Sequence, residues 1–195
     1  MKKAVIIVVI LAVLGVGAYY YNSRLGSLDD STAQNQAPTT DSNSPTGGAS
    51  PQAVAAISKY QYTEAYSSDK YGFSFKYPVK FSVNPMSASG SDAFLVQDIP
   101  DKIGVQIVIT PQTGNISLSE SFLRANLPNL KIGDSKEVKL ADGSTAISFS
   151  SDNPAFPGGS REIWFMHGGY LYQLSTYATQ GDFLDGLFAT LSFAK

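Results

Sequence analysis

The 195-residue chain carries 14 basic and 16 acidic residues, one histidine and no cysteine, for a net charge of -2. The missing cysteine excludes disulfides, thiolate metal sites, a cysteine nucleophile and lipid attachment through sulfur. The balanced charge excludes a broad basic field, so no nucleic-acid partner is expected, and no motif asks for a metal or a cofactor.

The chain opens Met1-Lys2-Lys3 and runs on through residues 4–18 without a charged or strongly polar side chain. Tyr19, Tyr20 and Tyr21 lengthen this run to eighteen residues, which as a helix spans roughly 27 Å, close to a hydrocarbon core. Two lysines before the run and only Arg24 close behind it favour a cytoplasmic N-terminus, with the tyrosines as an outer interfacial belt. Residues 1–21 are therefore expected to form a membrane anchor with a transmembrane helix at about 4–21. The alternative is a secretory signal peptide cut near Ala18, after the small residues Val16-Gly17-Ala18. The length and the tyrosines favour the retained anchor. Either reading places the rest of the chain outside the cytoplasm. The glycine-phenylalanine processing site and early helix glutamate of type IV pilins are absent, and no acid precedes Asp29.

Residues 22–58 are rich in Ser, Thr, Asn, Gln, Pro and Gly and contain no aromatic residue. Such a segment buries too little apolar surface to offset its ordering entropy. It reads as a disordered tether with an r.m.s. span of about 30–35 Å.

Residues 59–195 form the folded domain, and every aromatic residue except the tyrosine triplet lies within it. Tyr71, Phe73, Phe75 and Tyr77 alternate with Gly72, Ser74 and Lys76 up to Pro78, the period-two signature of a strand. Residues 81–84 read as a short partner strand. Residues 93–97 and 104–110 follow, the latter with Val105, Ile107 and Ile109 on one face. Ser117-Leu118-Ser119-Glu120 has the spacing of a capping box, ahead of Phe122, Leu123, Ala125 and Leu127.

Asp142-Gly143 predicts a two-residue hairpin turn folding 136–141 onto 144–150. Leu140 then faces Thr145 and Val138 faces Ile147, leaving the other side wet or lightly covered. Gly168-Gly169 predicts a second hairpin between 161–167 and 170–178. Ile163, Phe165, Tyr172 and Leu174 share one face, and Trp164, Met166 and Leu171 the other. With both faces apolar, this hairpin should be central and covered on both sides. A second helix is expected over 179–190, weakened at Gly186 by up to about 1 kcal/mol relative to Ala. Leu191-Ser192-Phe193 should return to the sheet. The expected fold is α+β: an antiparallel sheet covered by helices on both faces, an α-β-α sandwich.

The opening Tyr71-Gly72-Phe73-Ser74-Phe75-Lys76-Tyr77-Pro78 resembles the start of PsbP-like domains, the superfamily named for an extrinsic photosystem II protein. The tyrosine-rich strand (Tyr170, Tyr172, Tyr177), the helix with Phe183 and the closing Leu187–Phe193 stretch are similar to that family's ending. The resemblance covers roughly residues 67–195. It implies the same α-β-α sandwich, and a family in which many bacterial members are tethered outside a membrane and most have no known reaction.

Catalytic chemistry is sparsely represented. His167, at the tip of the second hairpin, is expected to stack on Tyr170. Ser160 and Asp152 lie in the 150–160 loop, where Phe156 sits between two prolines and either projects for contact or folds back as a lid. Trp164 is expected in the core. The candidate binding residues are Phe156, Arg161, His167 and Tyr170; no catalytic and no metal-ligating residue is assigned. The chain is thus expected to be a single-pass extracytoplasmic interaction or assembly module without catalysis, acting on an unidentified envelope protein. The alternative is a small-ligand or metal-binding surface protein, or a weak hydrolase, using the 150–160 loop and His167.

Overall fold

The computed structural model describes residues 59–88, 90–113 and 116–194. The expected anchor at 1–21 and tether at 22–58 lie outside these residues. Among the described residues, no helix is long and apolar enough to cross a membrane.

Among the described residues, ten strands build two antiparallel sheets. The smaller sheet has the order β1 (Glu64–Ser68), β2 (Phe73–Tyr77), β10 (Ser192–Phe193), with β2 at its centre. The larger sheet contains β3 (Ser82–Ala88), β4 (Ser91–Asp98), β5 (Ile103–Pro111), β6 (Ile132–Lys139), β7 (Thr145–Ser151), β8 (Ser160–His167) and β9 (Tyr170–Tyr177). Its order is β3-β4-β5-β9-β8-β7-β6. The described residues also hold two short helices: α1 (Glu120–Asn126) between β5 and β6, and α2 (Gly181–Ala189) after a 3-10 turn at Ala178–Gln180.

The α-β-α sandwich with helices on both faces is overturned. One face of the large sheet is closed by a second sheet as well as by a helix. Phe73 and Phe75 of β2, with Phe183, Leu184, Leu187 and Phe188 of α2, bury Phe94, Val96, Ile107, Ile109, Ile163, Phe165, Tyr172 and Leu174. The reason lies in the alternation of β2. Its phenylalanines are buried while Lys76 is exposed, so the strand has one apolar side and stacks face to face instead of extending the larger sheet. On the opposite face, Leu123 and Leu127 meet Ile147, Phe149, Trp164 and Leu171. Only seven residues of helix lie there, enough to cover part of one sheet half.

The second hairpin follows its pattern. His167 pairs with Tyr170 across Gly168 and Gly169, both at positive φ, the conformation of a type I′ turn. Phe165 and Tyr172, directly opposite in register, stack with centroids 4.8 Å apart. On the other side of the hairpin, Trp164 and Leu171 are buried.

The first hairpin departs from expectation. Asp142 Oδ1 accepts from the backbone N–H and the hydroxyl of Ser144, and the Leu140 N–H donates to the Ser144 carbonyl. The connection is therefore longer than two residues, and Val138 faces Ala146 instead of Ile147. Neither side of β7 is wet: Ala146 and Ile147 are both buried, in separate apolar clusters. The expected strand at 81–84 is also longer, and it pairs with β4 instead of β2. The cap of α1 is Ser119, not Ser117; its Oγ accepts from the Phe122 N–H at 3.1 Å.

Gly186 has a reason that helix propensity does not supply. The ring of Tyr62 lies against the helix there, its hydroxyl donating to the Phe183 carbonyl at 3.0 Å. A Cβ at position 186 would collide with the Tyr62 ring and hydroxyl. Gly186→Ala should destabilise the domain by about 1–2 kcal/mol, despite a helix-propensity gain of about 1 kcal/mol. In a Tyr62→Ala background the same change should be neutral or stabilising. Urea melts of the four-protein cycle measure that reversal.

Candidate functional site

The β7–β8 connection lines an open concavity. Asn153 starts it with its own local bonds: its side-chain oxygen accepts from the Ala155 N–H and its carbonyl from the Phe156 N–H. Gly158 and Gly159 follow at φ 89° and 95°, a conformation that glycine adopts without a Cβ penalty. The Gly159 carbonyl then accepts from the Ala178 N–H, fastening the loop beside the end of β9. On the other side, Asp152 Oδ1 accepts from the Lys131 N–H at 2.7 Å. Between these ties lies an open cleft of about 650 Å³, lined among others by Lys131, Gly133, Asp152, Asn153, Phe156 and Ser160. Phe156 folds back: it is buried and meets Tyr177 edge to face at 5.3 Å.

Behind the cleft sits Glu162, which no sequence pattern singled out. Its Oε1 accepts from Ser160 Oγ at 2.7 Å and Ser151 Oγ at 3.0 Å, and its Oε2 from Trp164 Nε1 at 2.9 Å. Burial pushes the Glu162 carboxyl above its ordinary value; the hydrogen bonds from Ser160, Ser151, Trp164 and Asn153 offset part of that shift. The available signal was positional. Ser160, Glu162 and Trp164 share one side of β8, and Ser151 pairs with Ser160. A glutamate alternating with a core tryptophan on a strand expected to be covered on both sides points to burial.

The structure distributes the candidate binding residues over both ends of the domain. Phe156 lines the cleft. Arg161 points to the opposite sheet face, packing along Gly181 with its Nη2 3.5 Å from Asp185 Oδ1. His167 stacks on Phe193, not on Tyr170, with centroids 3.5 Å apart, and its Nδ1 lies 3.8 Å from Asp142 Oδ2. Tyr170 packs edge to face on Tyr71 beside a second, smaller cleft of about 470 Å³. There Asp92 accepts from Lys70, Tyr71 and Ser87. The Lys70 ammonium does most to hold the Asp92 carboxyl below its ordinary value, against an opposing push from burial and with help from the two hydroxyls.

Ser160 and His167 begin and end β8. At about 3.3 Å per residue they stand roughly 23 Å apart. His167, Asp152 and Ser160 therefore do not converge, and the Ser160 hydroxyl is already engaged by Glu162 and Ser151.

No family model and no curated protein matches the chain. Among solved structures, the solution structure of cyanobacterial PsbP (CyanoP) from Synechocystis sp. PCC 6803 matches with a TM-score of 0.48 and 15% identity. The match covers 67% of this chain and 92% of that one. The chain is similar to PsbP. This is the family that the sequence motifs at 71–78 and 187–193 resemble, and the match carries no function across.

The raised Glu162 carboxyl makes stability depend on pH with a definite sign. The folded domain holds this proton more tightly than the unfolded chain, so the group's contribution is fully present below the ordinary glutamate value. It is lost as pH rises through the folded value. Glu162→Gln should therefore shrink the fall in urea midpoint between about pH 5 and about pH 8. An unchanged fall would place the pH dependence elsewhere.

Proposed function

We propose that residues 59–194 act as a non-catalytic binding module held outside the cytoplasm by the apolar segment at 4–21, with an envelope protein as its partner. The observation that carries this reading is the separation of the few reactive groups. The imidazole sits at one pole against Phe193 and Asp142. The serine that could act as a nucleophile is buried at the other, donating to Glu162. General-base activation needs the two within hydrogen-bond reach. The resemblance to a family whose members mostly lack a known reaction agrees with this.

The cleft at the β7–β8 loop is the contact surface in this reading. Its polar walls are largely committed internally: Ser151 and Ser160 to Glu162, Asp152 to the Lys131 backbone. Such a surface recognises a partner by shape and by the rim, where Lys131 and Asp152 are exposed, more than by the committed hydroxyls inside.

The cysteine-free chain allows a direct test. A photocrosslinker attached at Asp152→Cys in intact cells should capture one consistent envelope protein. The same reagent at Asp142→Cys, at the opposite pole, should not. Capture of no partner from the cleft, together with an esterase or peptidase activity that disappears in His167→Ala, would replace this reading with the hydrolase alternative.

A further inference from the structure

We propose that the pole of the domain at which the chain enters docks on the bilayer surface through Val79 and Ile99. This rests on the tethered reading above and adds a second, non-covalent contact with the membrane.

Among the described residues, Val79 and Ile99 are the two exposed large hydrophobic side chains, at 71% and 57% of full exposure. They lie on different connections, β2–β3 and β4–β5, yet the topology brings them to one place. Ser82 pairs with Gln97 and Asp98 with Ile103, so the start of β3 and the end of β4 are neighbours. Val79 stands three residues before that pair and Ile99 two residues after it. Both tips have a proline next to the apolar residue, Pro78 and Pro100, and a lysine close behind, Lys80 and Lys102, both exposed.

The entering chain arrives at the same pole. Glu64 pairs with Tyr77, directly before Pro78. Tyr60 packs edge to face on Phe81 at 6.2 Å and against Phe183 at 5.1 Å. The 58 residues that precede Lys59, including the eighteen-residue apolar run, therefore join the domain beside the two tips. The hairpin turns at Asp142-Gly143 and Gly168-Gly169 mark the far pole.

Exposed single apolar residues are ordinary on a protein surface. Two of them at adjacent strand ends, beside the end of the chain that leads to a membrane-length apolar run, form an arrangement suited to the lipid interface. The charges around the tips are mixed: Lys59, Lys80 and Lys102 against Glu64, Asp98 and Asp101. Docking should therefore depend little on anionic lipid. A weak contact suffices, because a tethered domain is held near the bilayer at an effective concentration in the mM range.

The test uses the full chain in phosphatidylcholine vesicles, with a fluorophore at Lys80→Cys and, in a separate protein, at Ala141→Cys on the far pole. The expected result is severalfold stronger quenching of the position-80 label by an acyl-chain quencher than of the position-141 label. Val79→Asp combined with Ile99→Asp should remove that difference while the chain still co-floats with the vesicles. Equal quenching of both labels in a co-floating native chain would overturn the docking and leave the anchor standing. A chain that fails to co-float would overturn both. Protection of position 80 from lipid and aqueous quenchers alike, growing with protein density, would assign the tips to a second copy of the chain and overturn the proposal.

Discussion

The rest of the structure depends on a hairpin that is apolar on both sides. β8 and β9 present Ile163, Phe165, Tyr172 and Leu174 to one side and Trp164 and Leu171 to the other. Leaving either side in water would forfeit about 1.5–3 kcal/mol for each large side chain exposed. Two separate covers are therefore required. The chain makes one from a three-stranded sheet and α2, and the other with help from α1. Every other strand of the large sheet extends outward from this hairpin, β5 on one side and β7 on the other.

The same geometry separates the candidate surfaces. Antiparallel strands gather their connections at two poles. The chain entry, the Val79 and Ile99 tips and the β7–β8 cleft fall at one; His167, Tyr170 and the Asp92 cluster fall at the other. An eight-residue strand stands between Ser160 and His167, and no side-chain rotation closes that gap. Within one domain the two groups do not reach each other directly, whereas each pole presents a surface of its own.

Glu162 shows how a polar residue is accommodated in such a sheet. It occupies a core position of β8, and its desolvation is partly offset by two serine hydroxyls and the indole N–H. The polar character of the 150–160 region is therefore not a solvated loop alone. Part of it is the donor set that a buried carboxyl needs. This explains why Ser160, which invites a catalytic reading in isolation, has no free hydroxyl in the folded protein.

Local pattern was enough for the elements whose neighbours in sequence are also their neighbours in space. The alternation of Phe73 and Phe75, the Gly168-Gly169 turn and the two-sided hairpin were all legible, because side-chain period and turn chemistry act within a few residues. The register at Asp142-Gly143 was not, because Ser144 bonds back to Asp142 and lengthens the turn. Nor was the partner of β2, the reason for Gly186 or the environment of Glu162. Each depends on a contact made across the fold: β10 returning to β2, Tyr62 lying on α2, Ser151 meeting Ser160. By itself the sequence determined the strand-rich character of the domain, its central hairpin and the apolar stretch ahead of it. Only the tertiary structure decided that a second sheet closes the core and that the reactive groups stand at opposite poles, because hydrophobic burial specifies that a face be covered and not which distant segment covers it.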